Sequence, residues 1–595
     1  MRMCFCQLVS VALTGLSLTA FSESAALPPL RPHPRLFANE QTFADLKARL
    51  ATDEMVRVGA EHVKALSEKY LSDPLPKHGI TDGRRMLSTS HYVEERVLNL
   101  AMAYRLFGDR RHLTRAEEIM VAAAEMPDWN PSHFLDVAVM SYGVATAYDW
   151  LFSDLSSDAR MRIRTGLERN GVDAGLRRKG LCRGRSNWAQ VCPGGVLVAA
   201  LAIAEDAPEK CARIVRTVTG GLPDVMQMYR PNGSYPEGPG YWGFGTGYNV
   251  LAIAALESAY GTDFGLASQP AFRETGRYPD LMTGPSGFRF NYADCGHRRA
   301  PSWIVWWFAK RFGEPALVEP YERTAYLKNL KDIRSPMFLL YAFPRDAKTV
   351  VDLPLAWRSG GTVDVSVQRS SWEPDGRFAA FKGGRATAPH GHMDGGSFVY
   401  DAKGVRWAWD LGGENYSKIE HQIGMELWRY AEGSGRYRVF RHSAAAHNTL
   451  MLDGLPHCAT GTVSVVSLTD GPESESVLDL SPLFTNATKV VRRGKMLADG
   501  FRLTDEVAGL RAGAPIKWQM MTHARVTPKG GDELELREDG KALVLRRETP
   551  PGASDWIVDE APHGEAWEQT NKGFRRISFT VPSNPSGTPF SVVFR

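Results

Sequence analysis

Two histidines and an aspartate stand at alternate positions in the C-terminal half of the sequence, as His390, His392 and Asp394. Alternate residues of an extended chain share one face, so two imidazoles and a carboxylate would project together. Such a set can hold a divalent metal ion if further ligands come from elsewhere, and Asp410 and His447 are candidates. The histidines could instead be structural residues held by hydrogen bonds, but the glycines around them suit a backbone that passes close to a ligand.

A second candidate cluster precedes an apolar helix predicted over Gly195–Ala204. The segment GLCRGRSNWAQVCPGG places Asn187 and Trp188 in a loop before that helix. A run of basic residues leads directly to it. Alone, such a run is usually a solvated helix end, but beside a carbohydrate cleft it would attract carboxylated or sulfated chains. The run consists of Arg177, Arg178, Lys179, Arg183 and Arg185.

A third cluster lies in the glycine-rich segment RPNGSYPEGPGYWGFGTGYN. Its glycines and prolines predict an irregular loop, which would carry Tyr235, Glu237, Tyr241 and Trp242. Aromatic and polar groups on such a loop are typical of a carbohydrate cleft, because rings stack on sugar faces and polar groups bind hydroxyls. The alternative is a rigid connector between helices, whose aromatic residues belong to the core.

The composition is typical of a soluble globular protein with more than one domain. At 595 residues the chain is too long for one compact core. Hydrophobic residues make up 43% and charged residues 23%, which are both ordinary values. The net charge of +4 is small for this length, so the composition argues against a dedicated nucleic-acid binder.

The N-terminus has the layout of a secretory signal peptide. Arg2 is followed by an apolar run from Leu8 to Phe21 and by small residues near Ala26, where cleavage is expected. No later apolar run is long enough to span a bilayer, so we expect an exported protein, periplasmic or secreted, without membrane insertion. Two of the seven cysteines would leave with the signal, and the other five are spaced too widely for a disulfide framework or a zinc ribbon.

The sequence divides into a helical half and a β-rich half. Residues 40 to about 345 carry apolar residues at intervals of three and four, with clear helices at Val93–Phe107 and Leu135–Leu151. From about 350 the sequence changes to alternating, strand-length runs separated by glycine, aspartate and asparagine turns. We therefore predict an α+β multidomain protein, an α/α toroid or incomplete helical barrel followed by an antiparallel β-sandwich. The predicted boundaries are residues 1–26 for the signal peptide, 27–345 for the toroid and 346–595 for the sandwich, with a subdivision near 525.

Five motifs occur in a specific order between positions 33 and 454: HPRLF, NWAQVC, NGSYPEGPGYWGFGT, HGHMDGGSF with WAWDLG, and HNTLMLDG. In this combination the chain resembles the heparinase II/III-like polysaccharide lyases, of the heparinase II type and related to alginate lyases of the same fold. The resemblance implies the same toroid and sandwich that the apolar intervals and the alternating runs of the sequence predict. It also implies a carbon–oxygen lyase that cleaves a uronate polymer by β-elimination.

The resemblance assigns roles to three catalytic positions. Asn187 matches the asparagine that binds the uronate carboxylate, and Tyr241 matches the tyrosine that acts as base, as acid to the departing O4, or as both. A free tyrosine has a pKa of about 10, so the base role needs a positive neighbour, which arginines or His390 could supply. His390 itself matches a catalytic-site histidine of the family.

Three further positions, His392, Asp410 and His447, match the ligands of a zinc ion in the family. The resemblance thus implies one structural zinc ion per chain, which props the sandwich against the cleft, with another divalent metal as the alternative. Asp294 and His297 are expected to brace the cleft. The predicted substrate-binding residues are Arg185, Trp188, Glu237, Trp242 and Arg438.

The chain departs from the family pattern beside Asn187. Some heparinase II-type members carry a histidine directly before the asparagine and an acidic residue two positions after it, where this chain has Ser186 and Ala189. The departure leaves open whether both uronate epimers are processed. The sulfation pattern, endo or exo action and the oligomeric state, with a homodimer among the alternatives, are left open as well.

The expected partner is an acidic polysaccharide, most directly a glycosaminoglycan such as heparin or heparan sulfate. Hyaluronan and chondroitin sulfate fall in the same class, and alginate is the nearest rival. A different interpretation is a glycoside hydrolase on an α/α toroid, with Glu237 and Asp294 as its carboxylate pair and products that lack a new double bond. A third is a non-catalytic carbohydrate-binding protein of this fold, which would have no need of Asn187, Tyr241 and His390 together.

Overall fold

The computed structural model separates the helices from the strands along the chain, as the sequence predicts. Helices occupy Glu40 to Tyr341 and strands Ala356 to Phe594, with one further helix between the fifth and the sixth strand. The predicted signal peptide, apart from its last residue, lies outside the described residues, as do residues 346–352 at the predicted domain boundary. The structure describes residues 26–319, 321–328, 330, 335–345, 353–560 and 562–595.

Helix starts in the first half follow ordinary capping chemistry. Asn39, Asp53 and Ser156 each accept a hydrogen bond from a backbone N–H in the first turn of the helix that follows. Gly108 and Gly261 end two of the long helices in the left-handed conformation. The α-helices of the described residues are α1 (Glu40–Arg49), α2 (Glu54–Tyr70), α3 (Leu87–Phe107), α4 (Arg110–Ala124), α5 (Leu135–Leu151), α6 (Ser157–Gly166), α7 (Asp173–Arg177), α8 (Trp188–Ala202), α9 (Pro208–Met226), α10 (Gly238–Tyr260), α11 (Tyr278–Leu281), α12 (Trp303–Phe312), α13 (Glu322–Lys328), α14 (Met337–Tyr341) and α15 (Tyr416–Ile423).

Four long helices form the inside of the toroid. Helices α3, α5, α8 and α10 pack each against the next, while α2, α4 and α9 pack on the outside of this row. Every residue of α5 is buried, although the sequence predicted a single apolar stripe there, because α3 and α8 cover it from both sides. Its acidic residues therefore find partners inside: Asp149 accepts from the backbone N–H of Leu36 at 2.8 Å, and Asp136 from that of Met86 at 2.7 Å.

All neighbouring strands of the second half are antiparallel, as predicted. The strands are β1 (Ala356–Arg358), β2 (Val365–Arg369), β3 (Phe378–Lys382), β4 (Phe398–Ala402), β5 (Val405–Ala408), β6 (Met451–Leu452), β7 (Ser464–Leu468), β8 (Glu475–Asp479), β9 (Lys489–Met496), β10 (Phe501–Ala508), β11 (Pro515–Thr522), β12 (Arg525–Gly530), β13 (Glu533–Glu538), β14 (Lys541–Glu548), β15 (Ile557–Glu560), β16 (Arg575–Pro582) and β17 (Thr588–Phe594).

The strands form three sheets. One has the order β1-β2-β3-β4-β5, the second β12-β13-β14-β17-β10-β9-β8-β7 and the third β15-β16-β11-β6. The first sheet is buried on both faces, since Val365 and Val367 pack with the helical core while Phe381 and Phe398 belong to the core of the sandwich. Strands on both sides of residue 525 share the second sheet, so the predicted subdivision there does not correspond to a separate sheet.

The connection between β5 and β6 returns to the helical half and contains α15. Short 3₁₀ turns follow at Gly424–Trp428 and Gly435–Arg438. This connection supplies one wall of the site described below. Among the described residues, no helix combines the length and the apolar character needed to cross a membrane.

Candidate active site

A cleft of about 850 Å³ lies between the toroid and the connection from β5 to β6. The starts of α8 and α10 form its helical wall, and the loop before β4 together with α15 forms the opposite wall. Aromatic rings and charged groups both line it, which is typical of a site for a polar ligand. Six of its lining residues carry the argument that follows: Asn187, Trp188, Tyr241, Asp294, His390 and Tyr416.

Asn187 lies directly before α8, but its side chain does not cap that helix. Its amide nitrogen donates to Glu237 Oε2 at 3.1 Å, and its backbone N–H donates to the same oxygen at 2.6 Å. The amide oxygen Oδ1 is buried and has no hydrogen-bond partner among the described residues. Buried polar atoms are normally paired, so Asn187 presents an atom that suits a bound ligand.

Glu237, predicted to bind substrate, is fully buried behind the amide of Asn187. Burial raises the pKa of Glu237, and the nearby His390 together with the hydrogen bonds from Asn187 opposes that rise without cancelling it. A carboxyl group with a raised pKa keeps its proton at higher pH. Glu237 can therefore act as a proton donor beside Asn187.

The glycine-rich segment predicted as a loop is irregular up to Glu237, as predicted, but from Gly238 it forms the first turns of α10, so Tyr241 lies on a helix. Pro239 is tolerated in the first turn, where its missing N–H is not needed. At Gly245 a Cβ atom would lie 1.9 Å from a tyrosine hydroxyl, so this glycine allows close packing. Helix α8 likewise begins at Trp188 instead of Gly195, where a Cβ atom would lie 2.2 Å from a carbonyl oxygen of α5.

The hydroxyl of Tyr241 belongs to a chain of hydrogen bonds that ends on His390. It lies 2.8 Å from the hydroxyl of Tyr416, which lies 3.0 Å from His390 Nδ1. Burial raises the pKa of Tyr241 far above its ordinary value, and the charge of Asp294 adds to the rise. The phenol is therefore neutral and carries a proton that it can donate.

The segment with His390, His392 and Asp394 is not extended, contrary to the prediction. Strand β4 begins only at Phe398, and His390 has a φ of 60°, in the left-handed region. The glycine that follows is required, because a Cβ atom on Gly391 would lie 2.3 Å from a backbone carbonyl oxygen. A left-handed non-glycine residue persists where its surroundings fix it, and such residues are frequent at functional sites.

The carboxylate of Asp294 fixes both histidines of that segment. Its Oδ2 accepts from His390 Nδ1 at 3.0 Å and from Arg436 at 2.9 Å, and its Oδ1 accepts from His392 Nε2 at 2.9 Å. His442 lies 3.3 Å from Oδ1. Burial alone would raise the pKa of Asp294, but the charge of Arg436 and the histidine hydrogen bonds hold it well below its ordinary value. Asp294 is thus ionised and sets the orientation of His390.

The structure divides the remaining predicted substrate-binding residues into two pairs. Arg185 and Trp188 line the cleft with an exposed and a half-buried side chain. Trp242 does not line it, because successive residues of a helix point in different directions, and its indole N–H donates to a buried threonine. Arg438 is exposed outside the cleft, whereas Arg436, two positions earlier, is the buried arginine that faces the site. Neither Trp242 nor Arg438 therefore lines the cleft, unlike the other predicted substrate-binding residues.

Two residues of the site, Tyr416 and Arg436, were missed in the sequence. Both lie in the connection from β5 to β6, where Tyr416 begins α15 and Arg436 lies in a 3₁₀ turn. The concentration of aromatic and basic residues between positions 416 and 441 is the signal that could have found them. His297, expected to brace the cleft, packs instead against Phe288 and Trp409.

Glu420 on α15 ties this wall of the cleft to the toroid. Its carboxylate accepts from Arg84 at 2.9 Å, from Arg85 at 2.7 and 2.8 Å, and from the indole of Trp428 at 2.6 Å. Burial would raise the pKa of Glu420, but the hydrogen bonds from Arg85 and Trp428 lower it below its ordinary value. Both arginines and the tryptophan line the cleft, so this cluster shapes its opening.

One group of possible metal ligands in the described site consists of Asp294, His392 and His442, whose ligand atoms lie within 4.8 Å of one another. The carboxylate of Asp294 already neutralises Arg436, which is fully buried. A divalent cation at the same carboxylate would lie close to the guanidinium charge, which disfavours it. The group is therefore explained as a network of hydrogen bonds and one ion pair.

The predicted zinc ligands are arranged differently from the prediction. The carboxylate of Asp410 accepts from His447 Nδ1 at 2.8 Å, and the ligand atoms of His392, Asp410 and His447 do not all lie within 4.8 Å of one another. His447 Nε2 and His392 Nδ1 are buried without hydrogen-bond partners among the described residues, on rings whose centroids are 5.4 Å apart. A carboxylate behind an imidazole is a common support of metal-binding histidines. His392 and His447 thus fit a metal ion as ligands, and Asp410 fits as the residue that orients His447.

Comparison with known proteins finds a family that matches part of the second half of the chain and solved structures that match the fold of the whole chain. Residues 375–577 match the family described as heparinase II/III-like, C-terminal. No curated protein sequence matches the chain.

Solved structures match over nearly the full length at low identity. A heparinase III structure is 13% identical with a TM-score of 0.57, and the match covers 93% of this chain and 92% of that one. A heparan sulfate lyase from Pedobacter heparinus is 13% identical, with a TM-score of 0.51 and coverage of 94% and 92%. A Streptomyces coelicolor chondroitin AC lyase, in complex with chondroitin sulphate, is 11% identical, with a TM-score of 0.52 and coverage of 93% and 83%. The chain therefore carries a heparinase II/III-like C-terminal domain and has the α/α toroid and β-sandwich fold of these lyases, which confirms the resemblance and the fold class.

Proposed function

We propose that the protein is a polysaccharide lyase that cleaves a uronate-containing acidic polysaccharide by β-elimination. The observation that carries the proposal is the convergence of Asn187, Tyr241 and His390 in one cleft, from three separate segments of the chain. The similar folds of known lyases support it. The product would be an unsaturated uronate at the new chain end.

The reaction removes the C5 proton of a uronate and breaks the bond from C4 to O4, which leaves a double bond between C4 and C5. The C5 proton is too weakly acidic to leave unaided, so the charge that spreads onto the carboxylate must be stabilised while a base takes the proton. A second group must give a proton to O4. The site therefore needs a carboxylate binder, a base and an acid.

Tyr241 suits the acid. Its hydroxyl hydrogen bond goes to Tyr416, and burial together with the charge of Asp294 raises its pKa, so the phenol keeps its proton. The positive neighbour that the base role would need is not among these contacts. We assign Tyr241 the transfer of a proton to the departing O4.

His390 suits the base. Its Nδ1 donates to the ionised carboxylate of Asp294, which leaves Nε2 as the nitrogen that can accept the C5 proton. That nitrogen lies 3.4 Å from Glu237 Oε1. The imidazolium formed in the reaction would then be stabilised by the ionised carboxylate of Asp294.

Asn187 and Glu237 suit the carboxylate of the substrate. The second amide N–H of Asn187 can donate to the developing charge, and the neighbouring Glu237, with its raised pKa, can hold a proton beside it. Glu237, directly before α10, thus supplies an acidic neighbour for Asn187, whereas some heparinase II-type members carry an acidic residue at the position of Ala189.

A glycosaminoglycan such as heparin or heparan sulfate is the substrate class that we propose first, with alginate as the alternative. Arg185 is exposed at the cleft without an ion pair to any described carboxylate, so it can meet a carboxylate or a sulfate. Aromatic rings of Trp188 and Trp428 line the same cleft and can stack on sugar faces. Export through residues 1–26 and a structural metal ion on His392 and His447 belong to the same proposal.

The glycoside hydrolase interpretation is less well supported. Its carboxylate pair would be Glu237 and Asp294, but Asp294 is occupied by Arg436 and the histidines. Glu237 is fully buried and accepts two hydrogen bonds from Asn187. With Asp294 held in this way, the pair lacks a free carboxylate that could attack an anomeric carbon or activate a water molecule.

The test is incubation of the purified protein with heparin, heparan sulfate, hyaluronan, chondroitin sulfate and alginate, followed by ultraviolet absorbance of the unsaturated product. We expect an increase with at least one uronate polymer and none with the Tyr241→Phe variant. New reducing ends without the absorbance would mean hydrolysis and would reject the proposal. Absence of cleavage with every polymer would reject it as well.

A further inference from the structure

A second cavity, of about 570 Å³, lies on the outside of the toroid beside the cleft. We call it the basic cavity, because Arg178, Lys179, Arg183 and Arg213 line it with a single acidic residue, Asp224. The first three come from the segment that joins α7 to α8, and Arg213 comes from α9. No pattern in the sequence places Arg213 with the other three.

The charges of the basic cavity are exposed and not neutralised. The side chains of Lys179, Arg183 and Arg213 are exposed, and none forms an ion pair with a described carboxylate. Lys210, on the same helix as Arg213, is instead held by Glu168 at 2.7 Å and by an aspartate at 2.9 Å. Positive charges that lie close together repel each other, and their combined potential attracts an anionic ligand. Such a cavity therefore suits a polyanion.

The basic cavity and the cleft share one wall. Arg183 lines the cavity and Arg185, two residues later, lines the cleft. Arg178 lies over the ring of Trp188 at 5.6 Å, and that ring also lines the cleft. A polymer that leaves the cleft past Arg185 therefore meets the cavity next.

We propose that the basic cavity is a second binding site for the same anionic polysaccharide, and that it holds the part of the chain that lies outside the cleft. This inference rests on the proposed function and adds an extended binding track to it. The lining contains no aromatic ring, so it lacks the stacking surface with which single-stranded nucleic acids are usually bound. Arginine and lysine side chains without a fixed partner fit sulfate and carboxylate groups spaced along a polymer.

The test compares a triple variant, Lys179→Ser with Arg183→Ser and Arg213→Ser, with the wild-type protein on two substrates. One substrate is full-length heparan sulfate, and the other is a tetrasaccharide prepared from it, which would occupy the cleft and leave little chain for the cavity. We expect KM for the full-length chain to rise about tenfold with kcat unchanged, as the loss of three exposed charge contacts of ordinary strength would give. KM for the tetrasaccharide should not change.

A matched control removes three exposed basic residues of the β-rich half, as Arg525→Ser with Lys541→Ser and Lys572→Ser. The control variant loses the same net charge at positions far in sequence from the basic cavity, so an equal rise of KM in this control would overturn the proposal. The dependence of KM on salt should be weaker in the cavity variant than in the control, because fewer counterions are exchanged. Thermal unfolding should be the same in all three proteins.

Direct titration separates this inference from the proposed function. Heparan sulfate is titrated into Tyr241→Phe protein with and without the three cavity substitutions, which measures binding without turnover. Weaker binding only with the cavity substitutions would support the proposal, even if no polymer were cleaved. Equal binding would overturn it, as would binding of single-stranded DNA to the cavity as tightly as heparan sulfate.

Discussion

Tyr241 and His390 stack face to face, with ring centroids 3.9 Å apart and ring planes at 21°. The two groups come from α10 and from the loop before β4, so only the assembled protein brings them together. In the proposed reaction one gives a proton to O4 while the other takes the proton from C5. Stacking places donor and acceptor on one side of the sugar, and the hydroxyl of Tyr416 contacts both.

We expect Tyr241→Phe to lower kcat by about 100- to 10 000-fold, the usual contribution of a general acid. The substitution removes one oxygen and keeps the ring that stacks on His390, so folding and substrate binding should be nearly unchanged. Steady-state kinetics and a thermal melt check this. Tyr416→Phe is the matched control, since it removes the hydrogen bond but keeps the Tyr241 hydroxyl, and its effect should be smaller. Near-normal turnover of Tyr241→Phe would remove this residue from the mechanism.

Asn187→Ala should lower kcat by about a hundred- to a thousandfold, because losing one donor to a developing oxyanion commonly costs about 2.7–4 kcal/mol. Glu237→Gln is the companion variant. It keeps the hydrogen-bonding shape and removes the exchangeable proton, so it should also lower kcat. A rise of KM with unchanged kcat in Asn187→Ala would make Asn187 an ordinary binding residue.

The metal prediction is decided by four single variants. We expect His392→Ala and His447→Ala to lose the metal ion and to melt at lower temperature, because their unpaired buried nitrogens are the proposed ligands. His390→Ala and His442→Ala should keep the metal, and His390→Ala should lose activity. Elemental analysis of each purified variant gives the metal content. Loss of metal in His442→Ala with retention in His447→Ala would assign the ion to the group around Asp294 instead.

Asp294→Asn should destabilise the fold by about 3–5 kcal/mol, because it leaves the fully buried Arg436 without its counter-charge. Urea unfolding measures the change. Adding Arg436→Met to Asp294→Asn should recover part of the loss, since the double variant has no unpaired buried charge. A double variant less stable than the single one would show that Arg436 is held mainly by its backbone contacts.

Glu420→Gln tests the contact between α15 and the toroid through its pH dependence. The pKa of Glu420 is lowered in the folded protein, so its stabilising effect is fully present above its unfolded pKa of about 4.3 and is lost as pH falls through the lower, folded value. At pH 7 we expect the variant to be less stable by about 1–3 kcal/mol. The difference from wild type should shrink as the pH is taken below 4. A difference that stays constant over this range would mean that the charge of Glu420 does not matter.

The sequence by itself determined the order of the architecture and most of the candidate site. Apolar periods of three and four predicted the helices, and Leu135–Leu151 has the predicted bounds. Alternation and turn residues predicted antiparallel strands such as β4 and β5. Local signals suffice here because helix and strand periods follow from backbone geometry alone. The motifs also named Asn187, Tyr241 and His390, which line one cleft in the structure.

Only the tertiary structure decided which side chains meet. Glycines that are expected to interrupt helices lie inside α8 and α10, because close packing between helices favours residues without a Cβ atom. Tyr416 and Arg436 contact the site through hydrogen bonds between segments far apart in sequence. Trp242 and Arg438, which were predicted to bind substrate, do not line the cleft. Asp294 shows the reason most directly: its role comes from four partners in the second half of the chain, and the free energy of a buried charge depends on what surrounds it. No local pattern in a sequence encodes that environment.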